Sequence, residues 1–142
     1  MSWWSKIVSS LINTGQITDN FHIDEFACKD GTPYPKEWVD SRLRPLCAAL
    51  EVIRECLNGK SITINSGYRT PDYNKSVGGA SKSQHLYGKA CDIRVKGLSA
   101  RKVAIAVRQL INDGKIPAGG VGEYSSFVHI DQRGTNARWK GR

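Results

Sequence analysis

Ser83-Gln-His-Leu-Tyr-Gly-Lys-Ala-Cys-Asp-Ile-Arg-Val95 contains a change of pattern from which the rest of the 142-residue chain can be read. Its first half is polar and turn-like, and Gly88 ends it. From Ala90 to Val95 the residues alternate as in a strand, with Cys91, Ile93 and Val95 on one face and Ala90, Asp92 and Arg94 on the other. A carboxylate among apolar strand residues is costly unless it is paired or holds a metal. The loop through Gly88 is short enough to fold His85 back over Asp92.

Upstream, Ser61-Ile-Thr-Ile-Asn-Ser-Gly67 predicts another strand, with Ile62 and Ile64 on its covered face. Before it, Leu43, Leu46, Leu50, Ile53 and Leu57 recur at steps of 3 and 4 and predict a helix over 37–57, with Pro45 in its first turn and Asn58-Gly59 as its stop. Pro71 to Val77 predicts a short helix, and Gly78-Gly-Ala-Ser81 a loop. Downstream, a Ser99 cap opens a helix that buries Val103, Val107, Leu110 and Ile111 and stops at Gly114. After Pro117-Ala-Gly-Gly120, the segments Val121–Tyr124 and Phe127–Asp131 predict a closing hairpin. This order predicts an α+β fold: a small, mainly antiparallel sheet flanked by helices, in a single domain over 1–142.

On the last strand Phe127, His129 and Asp131 share a face, opposite Val128 and Ile130. The sheet is therefore expected to turn polar on one face at two strands. Two histidines and a carboxylate form a common catalytic zinc set, because they leave a coordination position open for water. The same three side chains could also form a structural hydrogen-bonded network, and spacing alone leaves both readings open. The third histidine, His22, precedes the main helix and fits a helix-start or surface role.

The formal charge is +8, but residues 1–30 carry two basic and four acidic side chains while 31–142 carry 19 and 9. The body is thus strongly basic and will attract polyanions of any kind. No phosphate loop, nucleophile elbow or nucleic-acid reading element accompanies that charge, and Gly119-Gly-Val-Gly122 follows no predicted strand. No specific nucleic-acid partner is therefore expected. No apolar run approaches the roughly 20 residues of a membrane span, Ile7–Ile12 being interrupted by Ser9 and Ser10. Met1 to Lys6 does not read as a secretory signal, so synthesis is expected to end in the cytoplasm. Trp3-Trp4 is expected to pack on the domain in a helical turn. Cys28, Cys47, Cys56 and Cys91 form no C-x-x-C and read as free, mostly buried thiols.

Three pieces taken together, Ser66-Gly-Tyr-Arg-Thr-Pro-Asp-Tyr-Asn74, Val77-Gly-Gly-Ala80 and Ser83-Gln-His85…Gly88-Lys-Ala90…Asp92, go further than spacing. This segment resembles the zinc D-alanyl-D-alanine carboxypeptidases and related peptidoglycan peptidases grouped with lysostaphin-type and hedgehog-type folds as the LAS family. The likeness runs from Phe21 to Trp139, leaving 1–20 as an extension, and Ser-x-His-x-x-Gly-x-Ala-x-Asp is matched at all five defined positions. It implies one Zn2+ ion held by His85, Asp92 and His129, and Arg69 holding a substrate carboxylate or carbonyl. Guanidinium binds carboxylate bidentately, which suits that role. Ser83 and Gln84 are candidate substrate contacts, though hydrogen bonding within the loop would explain them equally well.

A peptidase also needs a proton carrier. Some relatives place a carboxylate three residues before the last ligand, where this chain has Ser126, and others a His-x-His pair, where it has Phe127. Hedgehog-type relatives carry a glutamate matching Glu123, so the resemblance favours Glu123 as general base. Asp131 is the other candidate, or else it pairs with Arg133 or orients the histidine. The expected function is a monomeric zinc metallopeptidase cutting an amide bond in peptidoglycan stem peptides: terminal D-Ala-D-Ala, L-Ala-D-Glu or a cross-link. A phage endolysin-like role, acting at the wall after release, suits the missing signal and the basic surface. The contrasting expectation is a catalytically inactive, zinc-containing wall-binding or structural module.

Overall fold

A computed structural model describes residues 15–142; Trp3-Trp4, the Ile7–Ile12 run and most of the 1–20 extension lie outside the described residues. Strands β1 (Gln16–Thr18) and β2 (Phe21–His22) form a small antiparallel hairpin. His22 then opens a single 3-10 turn, Ile23–Phe26: its ring accepts the Asp24 N–H while Glu25 accepts the His22 N–H. His22 therefore starts a turn.

The predicted helix over 37–57 is helical as far as Cys56, but it is not one α-helix. A 3-10 turn (Lys36–Trp38) and a wide π turn (Val39–Leu43) precede α1 (Arg44–Cys56). Pro45 explains the change of pitch, since it has no N–H to give to the carbonyl of Ser41 and Arg44 N–H reaches back to Val39 instead. Helix α2 (Pro71–Ser76) is capped by Thr70, and α3 (Ala100–Asn112) by Ser99, whose hydroxyl accepts Lys102 N–H.

Strands β3 (Ile62–Ser66), β4 (Ala90–Val95), β5 (Gly120–Glu123), β6 (Val128–Asp131) and β7 (Ala137–Lys140) form one sheet in the order β3-β4-β6-β5-β7. Three of its pairings are antiparallel, and β5–β7 is parallel. The closing hairpin forms as expected, whereas β1, β2 and β7 are not predicted by the sequence pattern. One face of the sheet carries Cys91, Ile93, Val95, Val121, Val128 and Ile130, which pack with Leu46, Leu50, Ile53, Val103 and Val107 of the helices into one core. All four cysteines are free; Cys28, Cys47 and Cys91 are buried and Cys56 is exposed. No helix among the described residues is long and apolar enough to cross a membrane.

Candidate metal centre

The register of the sheet brings the polar residues together. Asp92 on β4 pairs directly with His129 on β6, so both side chains stand on the face away from the helices. His85 arrives from a 3-10 turn (Gln84–Tyr87), which Ser83 opens by accepting His85 N–H at 3.3 Å. Gly88 ends that turn at φ +67°, and a Cβ there would meet the Tyr34 hydroxyl at 2.7 Å, so glycine is required both by conformation and by space. The Tyr34 hydroxyl donates to Gly88 O at 2.7 Å, which pins the turn from below.

His85 Nε2 lies 3.2 Å and His129 Nδ1 3.0 Å from the same Asp92 Oδ1. The outer nitrogens are occupied: His85 Nδ1 donates to Gly67 O at 2.7 Å, and His129 Nε2 lies 2.8 Å from Asp131 Oδ2. A carbonyl can only accept, so the His85 proton sits on Nδ1 and the bare lone pair of Nε2 faces Asp92. With the His129 proton on Nε2, toward Asp131, three acceptors point at one another among buried residues, and the charge they call for is a cation. The donor set fits one zinc-type ion through two imidazoles and a carboxylate.

Burial opposes ionisation of Asp92, but in the metal-free protein, once the ring nitrogens that face it carry protons, hydrogen bonds from His129 and His85 outweigh burial and hold the carboxyl well below its usual range. Asp131 is likewise held low, burial being outweighed by His129, Arg133 and the Gly120 N–H. His129 goes the other way: burial lowers its pKa, yet its bonds to Asp131 and Asp92 raise it. With metal stripped by a chelator, both carboxylates contribute stability that is present above their unfolded pKa of about 4 and lost as pH falls below it. The raised His129 contributes stability that is full below about pH 6.5 and lost as pH climbs through its folded value. Thermal unfolding of the metal-free protein should therefore peak between about pH 4.5 and 6.5 and decline on both sides; a midpoint unchanged from pH 6 to pH 3 would contradict this electrostatic picture.

The three ligand-type residues sit in a cleft of about 610 Å3 that Arg69, Arg133, Tyr124 and Trp139 also line. A second depression of about 720 Å3, around Thr18, Asp19, Glu51 and Glu55, brings no such cluster together; Glu51 there is already taken up by Asn20. The family model for peptidase M15 matches residues 19–131, which contain all three ligand-type residues. This chain belongs to the peptidase M15 family. Among relatives of this M15 chain, a zinc D-Ala-D-Ala carboxypeptidase of Streptomyces albus G is 46% identical over 44 residues, 31% of this chain and 17% of that protein. The peptidoglycan L,D-endopeptidase MepK of Escherichia coli K12 is 40% identical over 82 residues, 51% of this chain and 40% of its own. A probable MepK of Haemophilus influenzae is 37% identical over 92 residues, covering 60% and 46%. The matched stretch is thus less than half the length of each of these relatives.

Within this M15 site Arg69 lines the cleft, its Nη2 3.5 Å from Asp92 Oδ2 and its Nη1 donating to Asn74 Oδ1 at 3.2 Å. The Ser83 hydroxyl is engaged by the loop backbone, and Gln84 lines the cleft. Glu123 is not brought to the cleft. It pairs with Val128, not His129, and so projects from the helix face of the sheet, where it meets Arg108 of α3 at 3.7 Å and Lys140 at 3.8 Å. That placement sets Glu123, the general base expected from the resemblance, apart from the residues that line the cleft. Asp131 is brought to His129 but has its side chain fully enclosed. Asp92 is accordingly the one carboxylate among the described residues lining the cleft. Two further residues of the site fall within the resemblance but have no role assigned from the sequence: Asn74, which is buried and donates to Ala80 O at 2.9 Å, and Trp139, whose ring lies 5.1 Å from that of His129.

Proposed function

We propose that this chain is a zinc-dependent peptidase that hydrolyses an amide bond in the peptide stems of peptidoglycan. The observation that carries this reading is the convergence of His85 Nε2, His129 Nδ1 and Asp92 Oδ1 at the floor of an open cleft, in an M15 chain whose relatives are named for that chemistry. Zinc bound there supplies a Lewis acid and a water of lowered pKa. His85 and His129 offer it neutral imidazole nitrogens, and Asp92 offsets its charge. Arg69, steadied by Asn74 and by Ser66 Oγ at 3.4 Å, is placed to receive a carboxylate or carbonyl of the peptide. The rest of the rim adds Lys82 and Arg133, so the cleft favours an acidic peptide over a basic one.

The test is digestion of defined muropeptides by the zinc-loaded protein, read by product mass. Free D-alanine would identify a carboxypeptidase, and new internal termini an endopeptidase. Activity should disappear with a chelator and return with zinc. Retained wall binding with no product under zinc-replete conditions would overturn the enzyme reading in favour of a binding module.

A further inference from the structure

Asp131 lies two residues beyond the last ligand-type histidine, and its surroundings define its task. Its side chain has no exposed surface, so it can neither reach a water in the cleft nor release a proton there. Both oxygens are already engaged: Oδ1 accepts Gly120 N–H at 2.9 Å, Arg133 N–H at 3.1 Å and Arg133 Nε at 2.9 Å, while Oδ2 takes Arg133 Nη2 at 2.7 Å and faces His129 Nε2 at 2.8 Å. The circuit then closes. The Arg133 guanidinium lies 5.3 Å from the Trp139 ring centre, and Trp139 packs back against His129 while donating its indole N–H to the Tyr124 hydroxyl at 3.0 Å.

We propose that Asp131, Arg133 and Trp139 form a positioning clamp that holds His129 as the Nε2–H tautomer and aims its bare Nδ1 at the metal. An ionised carboxylate fixed by a bidentate guanidinium can only accept, so Nε2 carries a proton, and a cation held between His129 and Asp92 would take the lone pair of Nδ1. Trp139 on one side of the His129 ring and His85, 5.0 Å away between ring centres, restrict its rotation. Two members of the clamp come from residues 133 and 139, beyond the 19–131 stretch that the family model matches, so this chain's last strand is part of its metal centre. Gly120 is needed for the same reason, because a Cβ there would stand 2.3 Å from Asp131 Oδ2.

The clamp rests on the metal-centre reading above, and its test does not need turnover. Zinc affinity is measured by chelator competition on the full chain and on the variants Asp131→Asn and Arg133→Gln. Nitrogen-15 NMR of labelled histidine reads which ring nitrogen of His129 carries the proton. Asp131→Asn can turn its amide to donate to Nε2, which moves the proton to Nδ1; zinc should bind roughly 10–100-fold more weakly. Arg133→Gln should weaken zinc less but measurably, and should lower the unfolding temperature of the metal-free protein because the enclosed Asp131 carboxylate loses its guanidinium partner. Folded Asp131→Asn with wild-type zinc affinity and an Nε2 proton would overturn the clamp. Should that variant fail to fold, unchanged affinity in Arg133→Gln overturns it. A wild-type chain that binds no zinc would instead remove the metal-centre reading, and one that binds zinc but cleaves nothing would remove only the peptidase.

Discussion

Asp92→Asn is expected to abolish tight zinc binding and peptidoglycan hydrolysis together while leaving the metal-free protein folded. The variant keeps the size of the side chain and its place on β4. Its amide can donate to one of the two histidine nitrogens that now face a carboxylate at 3.2 and 3.0 Å, so part of the acceptor conflict is relieved without any cation. What is lost is the negative charge that offsets both the metal and Arg69. The drop in zinc affinity should exceed the roughly 10–100-fold that follows loss of an outer partner, because a ligand-type group itself changes from an anionic carboxylate to a neutral amide. Zinc titration against a chelator, with thermal unfolding alongside, checks it: a folded variant that holds zinc within tenfold of wild type would show that Asp92 is not a ligand.

His85, Asp92 and His129 stand out in the amino-acid sequence because ligand-type side chains fall on predicted strands and on a glycine-closed turn. Their partners do not, for a physical reason. Which residue faces His129 depends on the hairpin register. The two-residue turn Ser125-Ser126, closed by Tyr124 N–H to Phe127 O at 3.0 Å, sets Gly122 opposite His129 and Glu123 opposite Val128. Counting outward from that turn places Glu123 on the helix face, whereas its distance along the chain from His129 carries no such information. The need for glycine at 122 is hidden in the sequence for a similar reason. A Cβ there would meet the Trp139 indole nitrogen at 2.4 Å, so the glycine makes room for a residue seventeen positions later.

Strand β7 escapes notice in the sequence because it is an edge strand. Arg138 and Lys140 are exposed, Ala137 and Trp139 only half-buried, and so the segment reads as a polar tail until it is paired with β5. The π turn is hidden in another way, since its apolar residues keep a helical spacing and only Pro45 betrays where α-type bonding can begin. The helical periods, the Ser99 cap and the limits of β4 depend on neighbours within a few residues and are legible. Register, edge pairing and the enclosure of Asp131 depend on contacts across the sheet.

Phe26→Ala is expected to cost about 3–5 kcal/mol, the usual range for a fully enclosed phenylalanine, and so to lower the unfolding midpoint by roughly 10–20 °C. Phe26 has no exposed surface and packs edge-on against Phe21, with ring centres 6.4 Å apart. Its backbone also supports the metal centre. Phe26 O accepts Tyr68 N–H at 2.9 Å, and Phe26 Cα and O would lie 2.7 and 2.8 Å from a Cβ on Gly67, the residue whose carbonyl holds His85. Relaxation into the cavity therefore shifts the end of β3 that orients one ligand. Leu50→Ala on α1 supplies the comparison: Leu50 is equally enclosed, with a typical cost of about 2–5 kcal/mol, but it packs in the helix-side core away from the cleft. Zinc at a thousandfold excess over its Kd should add about 4 kcal/mol to any variant whose site is intact. The zinc-induced rise in midpoint should thus be preserved in Leu50→Ala and reduced in Phe26→Ala. Equal rises in the two would show that the turn carrying Phe26 holds up the fold but not the metal centre.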